Sequence, residues 1–270
     1  MLDYPRSHLF KRMKKRNLIL VILSITLLTS PANALVMHFE RGGASTVPGL
    51  VKPGQVNLEI GTFNYADEFN GKGSYGLTLA STKVRIGITD RFELRLTDLG
   101  VLVTDDLAGF SNLGLGFKLG LLNEEHGILP VVNLVTEFQI PAGREELRNP
   151  GFAHSYLLTT SKSLTDRLIA VNLMSLNFGS TQNSAGEKIG TVGIFYLTNL
   201  GYAINDKLGI FTDLYGTWGL TNGLSNPLAM DFGFAYAITD NFIYDLSVNW
   251  GLNESAPDFG VDTGLAFRLH

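Results

Sequence analysis

The chain has 270 residues, 45% of them hydrophobic and only 17% charged, with 30 glycines, no cysteine and a formal net charge of -4. The mild acidity excludes the concentrated basic surface that nucleic-acid binding needs, and the lack of cysteine excludes a disulfide framework or a thiolate metal site. A glycine-rich chain with so little charge is unusual for a soluble enzyme but usual for a barrel, and its length is compatible with one such domain.

Residues 1–34 read as a secretory signal peptide: a basic start (Arg6, Lys11, Arg12, Lys14, Lys15, Arg16), an apolar run at 18–28 and an A-x-A site ending at Ala34. The run falls short of the roughly twenty residues that a spanning helix requires. Residues 35–54 follow as a loosely ordered N-terminal arm without sustained periodicity, and 55–270 as the folded domain.

From residue 55 onward apolar and small or polar residues alternate with the period of a strand. The spacing predicts twelve strands: near 55–65, 78–88, from 92, 113–121, 128–140, 155–163, 168–178, 189–204, from 208, then 231–238, 242–251 and 259–270. The sixth, 155–163, shows no clear inside face. A recurring pentapeptide separates several pairs: ITDRF at 88–92, LTDRL at 164–168, INDKL at 204–208 and ITDNF at 238–242. It suits a tight hairpin, because Asp and Asn side chains can hydrogen-bond nearby backbone N–H groups. Short turns follow the even-numbered strands. Longer stretches, at 64–77, 98–112, 141–154, 179–188, 216–230 and 253–258, follow the odd ones.

The last three strands decide the class. Phe242, Tyr244, Leu246, Val248 and Trp250 share one face, opposite Ile243, Asp245, Ser247, Asn249 and Gly251. A soluble sandwich would turn Lys, Glu and Arg outward, whereas here the non-apolar face is mostly Gly, Ala, Ser, Asn and Asp. The bulky face suits lipid, so the expected fold is all-β: a transmembrane antiparallel up-and-down barrel of about twelve strands after a cleaved signal peptide, in a bacterial outer membrane. Its partners are then outer-membrane lipid and lipopolysaccharide, the barrel-insertion machinery and a small-molecule solute, with no nucleic acid.

The motifs PGQVNLEIG, VRIGITDRFELRL, LGLGFKLGLL, IPAG and LGYAINDKLGIFTDLYG, in this order, resemble a family of outer-membrane β-barrels grouped under the name "MetA-pathway of phenol degradation" and labelled as transporters. The closing segment, residues 231–269, follows the order of the same family. The resemblance covers nearly the whole mature chain and implies passage of small molecules, hydrophobic or aromatic ones included. Two departures stand out: Asp213 where the family usually has Glu, and an ending in Phe267, Arg268, Leu269 and His270 rather than on an aromatic residue.

With the bulky faces outward, Glu59, Lys83, Arg85, Glu93, Arg95, Lys118, Glu137, Asp213, Asp231, Asp245, Asp262 and Arg268 are candidate lumen-lining residues. They fit either a polar passage or a set of mutually paired charges that holds the barrel closed. The channel is the preferred reading; a structural or adhesive barrel with a closed lumen is the alternative. Tyr215, Trp218, Tyr244 and Trp250 suit interfacial girdles. No catalytic, cofactor or metal site is expected. His154 and Ser155 are adjacent on a strand and point to opposite faces, and the acidic residues Asp67, Glu68, Asp105, Asp106, Glu145 and Glu146 read as solvated loop charge.

Overall fold

A computed structural model describes residues 39–41, 44, 48–67, 75–104, 106–122, 127–182 and 185–269. The predicted signal peptide, His126, His270, Glu68 and Asp105 lie outside the described residues. Thirteen antiparallel strands form one sheet: β1 Val56–Asp67, β2 Tyr75–Thr89, β3 Phe92–Val103, β4 Ala108–Gly109, β5 Leu113–Leu122, β6 Val131–Ile140, β7 Ala153–Ser163, β8 Leu168–Gln182, β9 Lys188–Ala203, β10 Leu208–Gly219, β11 Leu228–Thr239, β12 Phe242–Gly251 and β13 Phe259–Leu269. Twelve of these close into a barrel. The two-residue β4 is a ribbon beside the end of β3, and β3 pairs directly with β5.

The ring closes where β1 meets β13, from Val56↔Leu269 to Asp67↔Phe259. Closure satisfies every strand edge inside the ring, which a bilayer demands because it offers no water to unpaired backbone groups. Several strands run beyond the end of their alternation: β8 reaches Gln182, β10 reaches Gly219 and β1 reaches Asp67. Above the lipid the ladder of backbone hydrogen bonds continues, while nothing there requires alternate residues to be apolar.

The barrel is inside-out relative to a soluble protein. Arg85, Glu93, Lys118 and Asp213 are fully buried, whereas their apolar neighbours Ile86, Leu94 and Leu214 are 37–43% exposed. Met174, Phe232 and Trp250 stand on the same outer belt. At one end of β7, His154 stacks on Phe178 at 4.8 Å and packs near Phe138, Phe152 and Tyr156. That outer aromatic cluster turns His154 away from Ser155, which pairs in register with Glu137 and Asn177. The inner face of β7, which the sequence does not reveal, is the odd-numbered set that includes Thr159, Ser161 and Ser163, all buried.

The recurring pentapeptide forms the short hairpins, but the capping side chain is the residue before the Asp. Thr165 Oγ1 accepts from the N–H groups of Arg167 and Leu168 at 3.2 and 3.0 Å. Asn205 Oδ1 accepts from Lys207 and Leu208, and Thr89 and Thr239 accept from Arg91 and Asn241. These short turns and the N-terminal segment share one end of the barrel, the periplasmic end in outer-membrane barrels of this kind.

The described part of residues 35–54, expected as a loosely ordered arm, lies inside the barrel. Phe39 and Val51 are each 3% exposed. Phe39 packs on Ile243 and Ala266, and the Arg268 guanidinium sits 5.3 Å above its ring. The wall makes room with glycine: a Cβ at Gly87 would collide with the backbone of Val51 and Lys52, and one at Gly264 with the Arg41 guanidinium. The segment is tied at the rim, where Gly54 N–H donates to Gly87 O and Gly87 N–H to Gln55 O, both at 3.0 Å.

Candidate functional site: the lumen

The lumen divides into two polar networks, one on each side of the arm. The first is built by β1, β2, β3, β5 and β6 around Glu40. Arg95 grips that carboxylate with both nitrogens, at 2.9 and 2.6 Å, while Lys83 reaches it at 3.0 Å, Lys118 at 3.2 Å and Arg85 at 3.6 Å. The wall carboxylates complete the set. Arg85 donates to Glu93 at 2.7 and 2.9 Å and to Glu59 at 3.1 Å, and Arg95 also reaches Glu93 and Glu137. Four cations thus meet four carboxylates, one of them supplied by the arm. Burial opposes ionisation of Glu40, but Arg85, Arg95, Lys83 and Lys118 outweigh it and hold the carboxyl well below its ordinary value.

Backbone groups of the arm join the same network. Glu40 N–H donates to Glu59 and Val51 N–H to Glu93, at 3.1 and 2.9 Å. Gly49 O accepts from Arg85 and Lys118, and Pro48 O accepts from Asn133 Nδ2 at 2.8 Å. Wall side chains therefore satisfy a peptide that belongs to no sheet, as buried backbone requires.

The second network lies against β9 to β13 and is acidic. Arg41 holds Asp245 through two hydrogen bonds of 3.2 and 2.9 Å. Asp213 and Asp231 face one another in register on β10 and β11. Asn199 donates to Asp213 at 2.6 Å and Ala44 N–H does so at 2.8 Å. Nearer the outer end, Tyr215 Oη donates to Asn249 Oδ1 at 3.0 Å, and Asn249 Nδ2 donates to Asp262 at 2.6 Å. Tyr215 thus lines the lumen and is no girdle residue; the girdle placement fails because Tyr215 shares the face of Asp213. Trp218 and Trp250, 40% and 41% exposed, stand on the outer face.

Of the twelve candidate residues, Glu59, Lys83, Arg85, Glu93, Arg95, Lys118 and Glu137 come together in the first network, and Asp213, Asp231, Asp245 and Asp262 in the second. Arg268 stands apart, over Phe39 and 3.5 Å from Asn57. Sequence reasoning misses Glu40, Arg41, Asn133, Asn199 and Asn249. One signal is present: Glu40 and Arg41 are the only charged residues between 35 and 51. In the loops, Glu146 pairs with Arg144 at 3.0 Å in an exposed contact.

A family model described as "Putative MetA-pathway of phenol degradation" matches residues 39–269. The chain belongs to this family. The match begins at Phe39, so the luminal arm lies within what the family model covers. No curated protein matches the chain. Among solved structures, the NanC porin is similar at a TM-score of 0.57 with 10% identity, over 79% of this chain and 100% of that one. The translocator domain of the autotransporter NalP from Neisseria meningitidis is similar at a TM-score of 0.52 with 10% identity, over 81% of this chain and 90% of that one. At such identities these likenesses show the fold, that of an outer-membrane barrel.

Proposed function

We propose that the protein is an outer-membrane channel for the passive passage of small molecules, closed in the state described by its own N-terminal arm. The observation that carries this reading is what obstructs the lumen: a peptide segment held by ion pairs and hydrogen bonds, crossing a barrel whose wall is polar and charged of both signs. A barrel closed by its own wall would instead be filled by side chains interdigitated from facing strands, as in eight-stranded barrels. Passage requires no covalent step and no cofactor. Porin-fold neighbours support a solute-conducting role, and the family's description supports aromatic compounds among the solutes.

The alternative, a structural or adhesive barrel with a permanently closed lumen, is favoured by the same seated arm. Planar bilayers separate the two. Wild-type protein is expected to conduct weakly and seldom, and a variant lacking residues 39–52 several times more. A correctly folded deletion variant that passes neither ions nor solute overturns the channel reading and leaves the structural one.

A further inference from the structure

Outward of the acidic network, the lumen holds a cavity of about 300 Å³. Its walls include Phe195, Tyr215, Ala66 and Ala229; Ala256 and Pro257, from the connection between β12 and β13, lie over it. Asn249 and Asp262 are the polar groups that meet it from the β12 and β13 wall. The volume falls at the lower end of the roughly 300–1,000 Å³ range of small-molecule sites. It comfortably exceeds the roughly 150 Å³ that admits a benzene-sized guest.

Three features select the chemistry of an occupant. First, the hydrogen-bond relay has a direction: Tyr215 donates to Asn249, Asn249 donates to Asp262, and the relay ends on a carboxylate. What that end offers a ligand is an acceptor, so the ligand must donate. Second, the charge on this side of the lumen is one-sided. Arg41 is committed to Asp245, while Asp231 and Asp262 have no cation within ion-pair distance among the described residues. The other side of the lumen is balanced, four cations to four carboxylates, and sends little compensating field across. Third, the rings of Phe195 and Tyr215 lie 6.3 Å apart on the wall, and aromatic faces attract a cation as well as an apolar body.

We propose that this cavity binds a small organic cation: a body about the size of one aromatic ring, carrying a single ammonium group directed at Asp262. A neutral molecule of the same shape gains the apolar contact and one hydrogen bond but not the attraction of the carboxylates. An anion of the same shape is repelled. The site stands apart from the channel reading, because occupancy is measured without solute crossing the barrel and with the arm seated.

The test is titration calorimetry on the purified full-length barrel in detergent, with benzylammonium, benzyl alcohol and benzoate as size-matched probes. Wild-type protein is expected to bind benzylammonium at least about tenfold more tightly than benzyl alcohol, and benzoate not measurably. Asp262→Asn should abolish most of that preference while leaving benzyl alcohol nearly unaffected. Ala229→Leu, which fills the cavity and leaves the carboxylates in place, should weaken both probes. Heat-dependent gel mobility establishes that each variant is folded. No binding of benzylammonium by the wild type, equal affinity for the three probes, or a cation preference that survives Asp262→Asn would each overturn the proposal, as would unchanged binding in Ala229→Leu.

Discussion

Glu40 shows how much of this lumen rests on one side chain. Its carboxylate is completely buried and meets four cations, and removing one partner of a buried pair leaves the others uncompensated at a cost of about 3–5 kcal/mol. Glu40→Gln is therefore expected to unseat the arm, read as faster proteolysis of the segment around residues 48–54 and a rise in conductance. The same residue sets a pH window. Its carboxyl titrates lower when the arm is seated than when it is free, so the seat has full strength above the ordinary value of 4.5 and is lost as pH falls well below it. Conductance should stay low from neutral pH to about 5 and rise only in stronger acid. A rise centred near pH 6 to 7 would show that another group controls the seat.

At the scale of strands, most of the architecture is legible in the sequence. Period-two alternation carries burial information when one face meets lipid and the other a lumen, as with Ile86 and Leu94 beside Arg85 and Glu93. Where that contrast is weak the reading weakens too: β7 presents Ser and Thr inward and both apolar and polar residues outward. Lys162 is on the outer parity, yet it is buried and donates to Gly127 O at 2.6 Å across the adjacent turn. Tight hairpins were legible from the recurring pentapeptide, although the capping atom belongs to Thr or Asn. The arm was not legible, because its bonds use carbonyls of Pro48 and Gly49 and carry no periodicity. An element-scale prediction follows from the outer belt. Met174, 59% exposed in mid-β8, should tolerate Leu, whereas Met174→Arg should cost about 2–4 kcal/mol of folding stability in bilayers, measured by denaturant titration. A cost near zero would place this position outside the hydrocarbon.

For the whole molecule, the two networks make the lumen electrically lopsided once the arm is withdrawn. The wall then holds Lys83, Arg85, Arg95, Lys118 and Arg268 against Glu59, Glu93, Glu137, Asp213, Asp231, Asp245 and Asp262. An arm-deleted channel should therefore prefer potassium to chloride, seen as a shifted reversal potential in a salt gradient. Replacing Asp245 and Asp262 together by Asn in that background should reduce the preference, and an unchanged potential would remove both from the ion path. The arm and the cavity also occupy different depths, the arm among the short turns and the cavity toward the long connections. A traveller from the cell surface therefore enters a waiting room before it reaches the locked door, and one leaving the periplasm meets the door first. A channel closed in this way is expected to rectify: in bilayers with one orientation of the protein, voltage that pushes on the arm from one side should open it more readily than the opposite voltage. A symmetric current–voltage curve would show that the arm is no latch.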